Sequence, residues 1–132
     1  MFSDRELALG WWEYHRLSVG SREERRLLEV GGCPAAQAGY SGVGERMQAG
    51  GRSALDLVVA LIEAAPADGD LGMVGAGPLE DLLHEHANSL VGDIESLART
   101  HPGFRAALSS AYVPEDHPSA DVRRRLARRT PR

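Results

Sequence analysis

The segment that most constrains this chain runs from Gly75 to Leu97. Gly75-Ala76-Gly77 leads into Pro78, whose missing N–H and fixed φ suit the first position of a helix. Glu80 and Asp81 then place two negative charges in the first turn, where unpaired amides and the helix dipole favour them. Beyond them Leu79, Leu82, Leu83, His86, Leu90, Ile94 and Leu97 fall on one arc of a helical wheel. The pattern predicts the longest helix of the chain, ending near Thr100, with a break at Ala87-Asn88-Ser89 or at Gly92 as the alternative.

Other helix signals surround it. Ser3 and Glu6 have capping-box spacing, Phe2 and Leu7 match a hydrophobic staple, and Leu7, Trp11 and Tyr14 continue at helical intervals over residues 4–17. Ser21 and Glu24 repeat the box before Leu27 and Leu28, and Gly31-Gly32 closes that helix. Residues 54–65 are apolar on nearly every side, with Ser53 and Asp56 as a looser cap and Pro66 as the stop, which predicts a central buried helix. Pro102 opens another, carrying Phe104, Leu108 and Ala111, and a further short helix is expected from Ser119. Residues 31–52 hold seven glycines and few large apolar groups. They read as a long Gly-rich loop, with at most one helical turn around residues 45–49. No strand pair or hairpin signal is present. The expected fold is all-α: a compact single domain of five or six helices over residues 1–113, followed by an Arg-rich C-terminal tail over 114–132.

Composition narrows the class. With 132 residues, 42% hydrophobic and 26% charged, the chain suits one globular domain with its own core. It has no apolar run of membrane-spanning length, and its opening lacks the basic segment and apolar core of a signal peptide, so a cytoplasmic protein is expected. The single Cys33 excludes an intramolecular disulfide. All 15 basic residues are Arg, a bias that fits a high-GC bacterial genome. Six of them, with one acid, fall in residues 119–132, leaving nine Arg against 18 acids in residues 1–118. A body this acidic argues against a nucleic-acid surface. The tail reads as a solvated terminus, its competing role being an acidic partner or RNA.

The segments Gly-Pro-Leu-Glu-Asp-Leu-Leu at 77–83, Ile94-Glu95, and Pro-Gly-Phe-Arg-Ala-Ala-Leu at 102–108 carry a resemblance to an uncharacterised family of small bacterial all-α domains. It covers roughly residues 53–113 and departs from the family pattern at Ala87 and Tyr112. The resemblance implies an all-α fold and no established activity.

Candidate chemistry follows from the histidines and aromatics. His84 and His86 lie two apart and point in nearly opposite directions on a helix, so they cannot share an ion. Asp81 or Glu80 with His84 has ligand spacing but lacks matching pairs from other helices, so no metal is expected. Gly75-Ala76-Gly77 has Glu80 where a dinucleotide fingerprint needs glycine, which excludes phosphate binding. His86 sits within the apolar arc with Asp93 near it, either as a hydrogen-bonded core histidine or as an acid or base in a pocket. In the second case Glu80, Asp81 or His84 would orient it, and Trp11, Trp12, Tyr14 and His15 would wall the pocket. Trp11 and Trp12 point about 100° apart, so one of them is a candidate interface residue.

The function expected first is a small accessory or immunity-type domain that binds another protein. The competing expectation is a cofactor-independent acid/base enzyme, of dehydratase, isomerase or cyclase type, acting on an apolar metabolite. Neither calls for a cofactor.

Overall fold

The computed structural model describes residues 2–113 and 120–129. They form α1 (Asp4–Ser18), α2 (Arg22–Glu29), α3 (Pro34–Ala49), α4 (Gly51–Glu63), a 3₁₀ turn (Asp68–Asp70), a four-residue α5 (Leu71–Val74), a π turn (Gly75–Leu79), α6 (Glu80–Thr100), α7 (Pro102–Leu108) and α8 (Ala120–Arg129). All regular structure among the described residues is helical, with seven helices of seven residues or more. None of these helices is long and apolar enough to cross a membrane.

Local signals start and stop several elements as expected. Ser3 and Ser21 each accept a hydrogen bond from the third residue of the helix they cap, Glu6 and Glu24, whose carboxylates bind back to the cap amides. At the end of α2 the Gly32 amide donates to the Leu27 carbonyl at 2.7 Å and Gly31 to Leu28 at 3.3 Å, with Gly31 at φ +71°. This paired closure needs a left-handed residue, which glycine supplies without a Cβ clash.

The expected Gly-rich loop is instead a helix, α3, and this raises the helix count above the five or six anticipated. Glycine weakens an isolated helix, but here it lets α1 and α3 touch backbone to backbone. A Cβ on Gly39 would lie 2.4 Å from the Trp11 amide nitrogen and 2.5 Å from the Gly10 carbonyl carbon. One on Gly10 would meet the Ala35 carbonyl oxygen at 2.3 Å. Tertiary packing therefore overrides propensity. The signal was present in the sequence: Pro34 stands at the first helical position, and the buried residues Ala36, Gly39, Val43 and Met47 recur at helical spacing.

Gly50 (φ +73°) and Gly51 (φ +78°) turn the chain directly from α3 into α4. Ser53 is consequently not a cap but lies inside α4, where its hydroxyl accepts from Arg46 at 2.9 Å. The Arg46 guanidinium also reaches Asp4 at 3.0 Å, joining α1, α3 and α4.

One core unites the elements. Leu55, Leu57, Val58 and Leu61 of α4 are fully buried against Leu82, Leu83 and Ile94 of α6, with Phe104 of α7 and Trp12 of α1 in the same cluster. α6 runs unbroken through Ala87 and Gly92, so neither position ends it. Its buried face is centred on Leu83, Ala87, Leu90 and Ile94, which leaves His86 at the edge of the arc and half-buried. The Arg-rich segment is not wholly solvated: α8 packs on α6 with Val122 and Leu126 buried, and Arg125 pairs with Glu95. The helix start expected at Ser119 lies outside the described residues.

Candidate functional site

An open groove of about 470 Å³ lies between α1, α3 and the chain from Met73 to Asp81. Trp11 and His15 face it from α1; Tyr40, Val43 and Met47 from α3; Met73, Gly77, Pro78 and Asp81 from the third side. That third side has an unusual course. Pro78 does not open a helix, because α5, the π turn and α6 form one continuous helical run. The Glu80 amide donates to the Gly75 carbonyl, five residues back, and this wider turn accommodates a proline that would clash in an ordinary α-turn. Gly75 is required by packing: a Cβ would fall 1.8 Å from the Ala107 carbonyl oxygen of α7.

The aromatic wall is layered. Tyr14 stacks on Tyr40 with ring centroids 4.1 Å apart and planes 17° apart, and His15 lies 4.2 Å from Trp11. The His15 Nε2 atom is buried without a hydrogen-bond partner. Burial lowers the pKa of this imidazole, since the charged form loses hydration. The unfolded chain protonates it near its ordinary value of 6.5, and the folded chain only at lower pH. In that window the unfolded state binds more protons, so this contribution to stability is complete above 6.5 and is lost as the pH falls below it. His15→Phe keeps a ring and removes the titration. The expected result is a smaller fall in Tm between about pH 7.5 and about pH 5.5 than in the parent chain. Equal falls in thermal scans of the two proteins would refute the assignment.

A second groove, of about 460 Å³, adjoins the first and shares Gly44, Met47 and Asp81 with it. Glu45, Gln48, His84 and Glu85 complete its polar lining, and among the described residues no arginine lines either groove. The Asp81 carboxyl, which borders both, has its pKa raised, first by partial burial and then by the charge of Glu80; His84 opposes the shift and Glu85 adds to it.

The four residues expected to act together as acid–base machinery are not gathered into one site. Glu80 accepts the Tyr112 amide at 2.7 Å, so its carboxylate holds the chain that follows α7. His86 Nε2 lies 2.8 Å from the Gln48 carbonyl oxygen, which can only accept, so that nitrogen carries the proton. Its ring also covers Gly50, where a Cβ would approach to 2.7 Å, and His86 lines neither groove. His86 thus locks the α3–α4 corner to α6. Only Asp81 and His84 stand together, at the second groove. Of the four aromatic candidates, Trp11 and His15 line the first groove and Tyr14 supports it through Tyr40. Trp12 points the other way, and its indole N–H donates to the buried Leu61 carbonyl at 2.8 Å. Tyr40, Met47 and Met73 went unnoticed in the sequence because α3 read as a loop and the run before Pro78 as a turn. Among the described residues no three His, Cys, Asp or Glu side chains come together as a metal site would require.

An all-helical domain with an open apolar groove edged by carboxylates is the class that this fold and site define. The chain belongs to a family of unknown function (DUF6869), matched over residues 43–131, well over half its length. The expected membership of an uncharacterised all-helical family therefore holds, and the match extends into α3 and through α8. Neither a curated protein nor a solved structure matches the chain. The matched region contains Met47, Met73 and Asp81, whereas Trp11, His15 and Tyr40 precede it.

Proposed function

We propose that this chain is a protein-binding domain of accessory or immunity type, and that an apolar segment of its partner lies in the groove between α1, α3 and Met73–Asp81. The observation that supports this reading is the exposure of large apolar side chains at the groove: Tyr40 is 47% and Met73 43% exposed. Contiguous apolar surface rimmed by polar groups is typical of interaction sites. The groove is open to solvent at Tyr40 and Met73, which suits a chain segment better than an enclosed metabolite. The acid–base reading lacks comparable support, because His86 is engaged with Gln48 and lines neither groove.

A phage-displayed random-peptide library selected on the immobilised full chain tests the proposal. Selection should enrich sequences with large apolar residues, and Met73→Glu should weaken their binding about tenfold by placing a charge in the apolar contact. Met73 is exposed, so the variant should keep the parent's circular dichroism. Failure to enrich, or enriched peptides indifferent to Met73→Glu, would overturn the reading.

A further inference from the structure

We infer that the groove's occupant is a protein segment in which a Lys or Arg lies close to the apolar anchor, the basic group being received at Asp81. The inference rests on the proposed protein-binding function and adds the chemistry of the partner. The apolar groove is the site, and charge complementarity selects what enters it. Among the described residues Asp81 is the one carboxylate that borders both grooves, and Glu45 and Glu85 extend the negative rim away from the apolar floor. Among the described residues no arginine lines either groove and three carboxylates (Glu45, Asp81 and Glu85) face the single imidazole of His84 at the second, so a basic side chain would find a carboxylate where its apolar neighbour leaves the groove. Asp81 is also ionised against the local environment created by partial burial and Glu80, an unfavourable arrangement that an incoming cation would relieve.

The experiment compares two synthetic peptides carrying the apolar residues of the selected consensus, one with Lys beside them and one with Gln. On the full chain at low salt the Lys peptide should bind about three- to fivefold more tightly, the range of a partly exposed ion pair. The advantage should shrink as salt shortens the screening length to about 10 Å or less. Asp81→Asn should abolish the preference while leaving the response to Met73→Glu intact, and its Tm should be no lower than the parent's, because the amide removes an unfavourable charge. Glu85→Gln, at an exposed position, should reduce the preference in part and serves if Asp81→Asn does not fold.

Equal binding of the two peptides, or a Lys preference that survives Asp81→Asn or, failing that variant, is untouched by Glu85→Gln, would overturn the inference. With Met73→Glu still disruptive, such a result would leave the protein-binding function standing. Loss of the Met73 dependence would remove that function as well. The inferred occupant belongs to a different protein, and a second copy of this chain, offering its Arg-rich α8, is the competing occupant. A dimer in sedimentation that Asp81→Asn dissolves would assign the groove to it and overturn the inference.

Discussion

Gly39→Ala is expected to lower Tm sharply, whereas the same substitution at Gly44, in the same helix, is expected to raise it. The new Cβ at position 39 would lie 2.4 Å from the Trp11 nitrogen and 2.5 Å from the Gly10 carbonyl carbon. Both are backbone atoms, so no side-chain rotation can relieve the contact; α1 and α3 must separate. That separation would open the Leu7, Trp11, Val43 and Met47 part of the core. Overpacking of this kind costs about 1–3 kcal/mol or more, on the order of 10 °C in a domain of this size. At Gly44 a Cβ meets nothing within 4 Å. There the gain is the helix propensity of alanine over glycine, about 0.5–1 kcal/mol. Thermal denaturation of the two variants beside the parent decides the matter, and shifts of the same sign would show that the α1–α3 contact is not set by glycine.

The second large effect is expected at Trp12. Trp12→Ala should destabilise the domain by about 3–5 kcal/mol, through lost burial and the cavity left behind. Trp12→Phe separates the contributions. It restores most of the ring but leaves the buried Leu61 carbonyl, in the last turn of α4, without the donor that now reaches it at 2.8 Å. An unsatisfied buried acceptor costs about 1–3 kcal/mol, so the phenylalanine variant should fall between the parent and the alanine variant. Urea unfolding followed by circular dichroism, with the slope checked for constancy, measures both differences. A phenylalanine variant as stable as the parent would mean that the indole is present for its area alone.

The candidate site divides in the same way as these two predictions. Trp11 and His15 were legible because they lie on a helix whose start, Ser3 with Glu6, is written in adjacent residues. Asp81 was legible as a first-turn acid, although its neighbour across the groove was not. Tyr40 and Met47 were hidden by the glycines around them, which lower helix propensity locally and are compensated only when α1 is in contact. His86 was left open between a hydrogen-bonded core histidine and a pocket acid or base because a wheel ranks positions around one axis and contains neither the Gln48 carbonyl nor the bare Gly50 that receive its ring. Pro78 misled for a related reason. The helical turn before it depends on Gly75 meeting the α7 backbone, a contact from more than thirty residues away in the sequence.

Neighbouring residues were sufficient to establish the all-helical character, the caps of α1 and α2, the buried α4 and the C-terminal end of α6. Each follows from interactions within one or two turns, where spacing and residue type determine the outcome. The existence of α3, the continuity through Pro78, the fate of His86 and the groove itself were decided by packing between elements. In the first three cases a backbone group, not a side chain, is the partner, and sequence patterns carry little record of where a backbone will be approached.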